Sequence, residues 1–199
     1  MWPFLDKLLD FFGLERKAPK ISMPEFPVED VIVRSLKFLH PELRDPLRQA
    51  IEECHGKGLM VYVFESYRTP ARQRGLYEKG RTKPGKIVTR ARPMHSWHNF
   101  GLAFDLVFDG DRRDDIQWSW DGDYNHAIIN GDKRSDYERV GEVLEKYGFE
   151  WGARWKNFKE MPHFQCIFGL NTEAARRLHS SGGIKAVWAE VSRRAKLSS

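Results

Sequence analysis

The chain is poor in cysteine: Cys54 and Cys166 are the only two in 199 residues. That excludes a disulfide framework, and the plainer reading is two buried thiols, with a single bridge as the alternative. Long hydrophobic runs are missing as well. The longest, Leu59 to Phe64, falls far short of the ~18–20 residues that span a bilayer. No secretory leader is legible: the opening MWPFLDKLLDFFGLERK is interrupted by Asp6 and Asp10 and lacks both a basic start and a small-residue cleavage site. The expectation is a chain made and kept in the cytoplasm unless another component releases it. There is no internal repeat and no low-complexity tract. Charge of one sign is also scarce, since 33 Lys and Arg against 28 Asp and Glu leave only +5. A basic chain invites a nucleic-acid partner, but no nucleic-acid-binding motif accompanies the charge, so none is expected.

What is present is material for a core. Hydrophobic residues make up 41% and aromatics 13%, with seven Trp, which excludes global disorder. The length suits one domain, expected as a monomer.

Residues 2–14 read as a short amphipathic helix, with Pro3 in its first turn, Trp2, Phe4, Leu5, Leu8, Leu9, Phe11 and Phe12 on a wide apolar face, and Gly13 at its end. Such a helix docks on the domain or a partner, or lies in a membrane interface; its polar face is not Lys-rich, which favours docking. Pro19, Pro24 and Pro27 make residues 17–30 a linker or extended arm. Residues 1–29 are thereby set apart from a main domain over 30–199. Leu43, Leu47, Ala50, Ile51 and Cys54 predict a helix over 41–57. Residues 59–64, 101–108 and 163–168 read as strands, and the stretch from Tyr67 starts with a turn and continues as a helix through Arg72 to Lys79. Ser135 or Asp136 caps a helix over 135–147 that Gly148 terminates. Residues 111–134 read as a long polar loop, and 172–196 as one or two basic helices broken at Gly182 and Gly183. Strands mixed with helices without a βαβ rhythm predict an α+β fold with a small, mainly antiparallel sheet flanked by helices.

The strands carry chemistry on alternate positions. Phe104, Leu106 and Phe108 share one face and leave Asp105 on the other; Phe164, Cys166 and Phe168 share one face and leave His163 and Gln165 on the other. If these strands pair, Asp105 and His163 converge, and His98 lies just before the first strand, across Gly101. Two His and one carboxylate suit a catalytic zinc with a position left for water. Glu160, three residues before His163 and kept out of a helix by Pro162, is placed to act as a base beside the metal.

Ser96-x-His98-x-x-Gly101-x-Ala103-x-Asp105, followed by Trp155-x-x-Phe158-x-Glu160-x-Pro162-His163-Phe164-Gln165, resembles the zinc-binding signature of the D-alanyl-D-alanine carboxypeptidase and L-alanyl-D-glutamate endopeptidase family, most of all its phage endolysins. Upstream, Glu65-Ser66-Tyr67-Arg68-Thr69-Pro70-Ala71-Arg72-Gln73 resembles that family's Tyr-Arg-x-x-x-x-Gln segment. The resemblance covers roughly residues 30–190 in order and spacing. It implies a hedgehog/DD-peptidase-like fold and a zinc peptidase acting on the peptide stem of bacterial peptidoglycan. His98, Asp105 and His163 would be the zinc ligands and Glu160, often Asp in the family, the general acid/base. Arg68 would polarise the scissile carbonyl or hold a substrate carboxylate, and Gln73 and Ser96 would line the cleft. Trp151 and Trp155 either line the substrate groove or are ordinary core aromatics. The L-Ala–D-Glu bond is the target expected of an endolysin, D-Ala–D-Ala the nearest alternative. A non-catalytic zinc-containing module is the alternative of another class, against which Glu160 speaks. An endolysin without a leader would wait in the host cytoplasm and reach the wall through a pore made by another protein.

The charge is unevenly placed. Residues 72–92 hold eight Lys and Arg against Glu78 alone, and 105–123 hold seven Asp against Arg112 and Arg113. The basic stretches, including the C-terminal one, suit an anionic wall polymer or a weak lipid contact by the terminal helices. Whether the basic segment borders the metal ligands is the question that the fold must answer.

Overall fold

The computed structural model describes residues 23–108 and 135–198, so the N-terminal helix expected over 2–14, the first part of the Pro-rich stretch and the loop expected over 111–134 lie outside the described residues. The elements in chain order are α1 (Pro41–Gly56), β1 (Val61–Glu65), α2 (Pro70–Glu78), β2 (Ala103–Phe108), α3 (Asp136–Lys146), β3 (Glu150–Trp151), β4 (His163–Gln165) and α4 (Thr172–Ser198). The α+β class with a small antiparallel sheet is what the patterning predicts; the strands run in the order β1-β2-β4-β3, every pair antiparallel.

Each helix has a local cause. Pro41 opens α1, and His40 caps it by accepting from the Glu42 amide through Nδ1 at 3.2 Å. Its buried stripe is Leu43, Leu47, Ala50 and Cys54. In α3, Ser135 and Glu138 form a reciprocal capping box. Helix α4 is continuous except at Gly182 and Gly183, whose backbone is not helical; this is the break expected there. Both cysteines are free.

One face of the sheet makes the core. Phe104 stacks on Phe164 at 5.9 Å between ring centres, Trp151 stacks on Phe164 at 6.2 Å, and Phe149 meets Phe104 edge-on at 5.0 Å. Helix α3 closes this face: Tyr137 packs edge-on against Phe108 at 5.0 Å and donates its hydroxyl to the Leu106 carbonyl. From α4, the Trp188 indole N–H bonds the Phe100 carbonyl at 2.9 Å. The described end of the Pro-rich stretch is packed as well, with Phe26 4.7 Å from Tyr67 and 5.6 Å from Trp188 between ring centres.

The other face carries polar residues in rows across the strands. Glu65 pairs with Asp105 and Asp105 with His163, while Glu150 pairs with Gln165. A bulge between Val63 and Glu65 creates the first row. Without that extra residue, Phe64 would stand opposite Asp105; with it, Glu65 does.

Candidate metal centre

His98 enters from the 3-10 turn Trp97–Phe100, which Gly101 ends with φ 65°. A side chain there would need that left-handed backbone and would place its Cβ 2.4 Å from the Phe38 carbonyl oxygen, so glycine is required. Asp105 comes from β2 and His163 from β4, side by side in register. Their donor atoms form a nearly equilateral triangle. His98 Nε2 lies 3.2 Å from His163 Nδ1, and Asp105 Oδ1 lies 3.3 Å from each. All three residues are buried.

This triangle fits a metal. Ligands held ~2.0–2.2 Å from a tetrahedral ion are ~3.3–3.6 Å from one another. Hydrogen bonds alone serve the triangle poorly, because Asp105 only accepts and one proton at most sits between two ring nitrogens. The other ring nitrogen of His98, Nδ1, points away from the triangle's corner and is a buried atom with no hydrogen-bond partner among the described residues. His40 shows the contrast: equally buried, it uses both nitrogens, Nδ1 at the α1 cap and Nε2 donating to the Trp188 carbonyl at 3.0 Å.

The surroundings set the charges. Burial pushes Asp105 up, but His98, His163 and Arg68 together outweigh it and hold the carboxyl well below its usual range. Burial holds the His98 imidazole below its ordinary value. His163 is pressed down by burial too, yet Asp105 and Glu160 raise it above the ordinary value. Glu160 has its Oε2 3.5 Å from His163 Nδ1, and burial raises its carboxyl. Gly152 makes room for it: a Cβ there would meet the Glu160 carbonyl oxygen at 2.8 Å.

Arg68 is more occupied than its expected role suggests. Its Nε donates to Glu65 Oε2 at 2.7 Å, one terminal nitrogen to Gln73 Oε1 at 3.1 Å and the other to Asp105 Oδ2 at 3.0 Å. It braces the outer oxygen of Asp105 while Oδ1 faces the histidines. Glu65 was not singled out in the sequence; it also binds Arg72 and is almost fully buried. Gln73, expected to line the cleft, is instead fully buried with both amide ends taken, by Arg68 and by the Ala91 carbonyl at 2.7 Å. Its place is behind Arg68. Ser96 precedes the His98 turn and its side chain caps nothing. Trp155 is half-buried, 5.1 Å from the His163 ring, whereas Trp151 is core. The basic segment does border the cluster: Gln73 links Ala91 to Arg68, and the Arg90 guanidinium lies 5.0 Å over Phe158, two residues before Glu160.

A family model described as D-alanyl-D-alanine carboxypeptidase matches residues 89–166, a span that holds His98, Asp105, Glu160 and His163. The peptidoglycan L-alanyl-D-glutamate endopeptidase CwlK of Bacillus subtilis (strain 168) is 38% identical over 129 residues, covering 65% of this chain and 74% of that protein. The L-alanyl-D-glutamate peptidase of Listeria phage A118 is 24% identical over 127 residues, covering 63% of this chain and 37% of its own length. Among solved structures, the Serratia marcescens L-Ala D-Glu endopeptidase ChiX aligns with a TM-score of 0.42 and 24% identity over 70% of this chain and 92% of its own. The LD-carboxypeptidase LdcB aligns with a TM-score of 0.48 and 17% identity over 88% and 79%.

Proposed function

Because the chain belongs to the D-alanyl-D-alanine carboxypeptidase family of peptidases, we propose that it is a zinc metallopeptidase that cuts the peptide stem of bacterial peptidoglycan at the L-Ala–D-Glu bond. The observation that carries this is the buried triangle of His98 Nε2, Asp105 Oδ1 and His163 Nδ1 with the Glu160 carboxylate 3.5 Å from one corner. The bond is inferred from the 38% identical endopeptidase.

His98, Asp105 and His163 would hold the ion. When bound, zinc supplies a Lewis acid and a coordinated water acidic enough to ionise near neutral pH. The chain's own residues do the rest. Glu160 accepts the proton of the attacking water and returns it to the leaving amine. Burial raises its carboxyl and so improves it as a proton carrier. Arg68 holds Asp105 in place and brings a positive charge to the site where negative charge develops. The half-buried Trp155 offers a face for the substrate beside His163.

A second reading, removal of the terminal D-Ala, is supported by the description of the matching family. The products separate the two: a new amino terminus on D-Glu, or free D-Ala. The phage source of one relative, of which the chain spans 37%, supports a role in phage-type host lysis. Purified protein is expected to carry a single zinc per chain and to release new amino groups from isolated wall. Chelation should stop release and added zinc restore it. Undiminished release from metal-free protein would contradict the proposal.

A further inference from the structure

The edge strand β3 contributes two residues, Glu150 and Trp151, and neither is one of the three residues of the triangle. Glu150 nevertheless reaches His163 by two routes. Its Oε2 accepts from the Gln165 side-chain amide at 2.9 Å, and Gln165 Oε1 lies 3.1 Å from His163 Nε2. Its Oε1 accepts from the Trp155 indole N–H at 2.5 Å, and the Trp155 ring packs on the His163 ring. Sheet register makes the first route possible, because Glu150 and Gln165 are directly opposite and His163 shares Gln165's face of β4.

The chain of contacts has a direction. An ionised carboxylate only accepts, so the Gln165 NH2 group must face Glu150. The Gln165 carbonyl oxygen is then the end that faces His163, and it too only accepts. His163 Nε2 must therefore carry a proton, so whenever the ring is neutral its lone pair is on Nδ1, the atom at the corner of the triangle. We infer that Glu150 is a positioning residue that selects the metal-binding tautomer of His163 through Gln165 and steadies the ring through Trp155. This rests on the metal-centre reading above, but its first consequence, the tautomer, belongs to the metal-free protein.

The test uses full-length protein carrying Glu150→Ala, Gln165→Ala and both together. Zinc affinity is measured by competition with a chromophoric chelator, and the His163 tautomer by nitrogen-15 NMR of metal-free, histidine-labelled protein at a pH where the ring is neutral. Loss of partners that orient a ligating histidine typically costs about 10–100-fold in metal affinity, so Glu150→Ala is expected to weaken zinc binding about tenfold and to lower the Nε2-protonated fraction of His163. In the Gln165→Ala background, Glu150→Ala should change affinity by less than it does in the parent, since only the route through Trp155 is left to cut. A variant less disruptive to folding, Glu150→Gln, keeps one acceptor oxygen and should give an intermediate loss. Unchanged affinity with an unchanged tautomer in Glu150→Ala would overturn the inference. So would full additivity with Gln165→Ala. Parent protein that binds no zinc would instead overturn the metal-centre reading, and the NMR measurement would still decide whether Glu150 sets the tautomer.

Discussion

At the scale of single residues, the buried charge depends on Arg68. Glu65 and Asp105 stand directly opposite on β1 and β2, an arrangement that repels by itself. One terminal nitrogen of Arg68 lies 2.6 Å from Glu65 and 3.0 Å from Asp105. Arg68→Ala strips the cation from two buried carboxylates and is expected to cost about 3–5 kcal/mol in urea unfolding. Arg68→Lys keeps the charge without the fork and should recover part of that loss. A loss in Arg68→Ala no larger than that of an exposed arginine would refute the role. His40 makes a second residue-level prediction. Burial, opposed by the bond to Trp188, lowers it to about 4, while the unfolded chain carries an ordinary histidine near 6.5. The unfolded chain therefore binds the extra proton first. His40's contribution is complete above pH ~6.5 and is lost as pH falls toward ~4, a difference of roughly 3 kcal/mol. Unfolding midpoints of the parent should fall more steeply over that window than those of His40→Gln; parallel curves would argue against it. The convergence of His98, Asp105 and His163 was legible in the sequence because strand alternation and Gly101 point to it, and Glu160 stood out by its spacing before His163, whereas Arg68 was marked only by the family resemblance. Glu65 was not legible, because a bulge decides which face it takes. The occupied state of Gln73 was equally hidden, since spacing shows where a side chain starts and not what it meets.

At the scale of elements, α1, α2, α3 and the break in α4 were legible because caps, prolines and apolar periodicity agree. Strand β4 is shorter than its apolar pattern suggests: Phe168 takes left-handed backbone at φ 49° and Gly169 follows at 66°, turning the chain away. Strand β3 left no periodic signal, since two residues cannot show one, yet it carries Glu150. Helix α3 packs closely on β3. A Cβ added at Gly141 would lie 2.3 Å from the Trp151 ring. Gly141→Ala, favourable on helix propensity alone, is thus expected to destabilise by about 1–3 kcal/mol through overpacking. Calorimetry of the variant checks this, and a raised melting temperature would show that α3 can shift at no cost.

At the scale of the whole molecule, the sheet separates two tasks. One face builds the aromatic core with α3, and the other presents the row Glu65, Asp105 and His163. Because Phe26 is the part of the N-terminal region seen packed on the core, removing residues 1–20 should leave hydrolysis of isolated wall near the parent level. Loss of folding or activity would assign that segment to the domain. Cleavage of the stem peptide by the His98–Asp105–His163 centre and Glu160 is read out by mass spectrometry of fragments released from purified peptidoglycan. The parent is expected to expose new amino termini on D-Glu, and Glu160→Gln, folded and still holding zinc, to expose almost none. Equal release of the same fragments by both proteins would contradict the account.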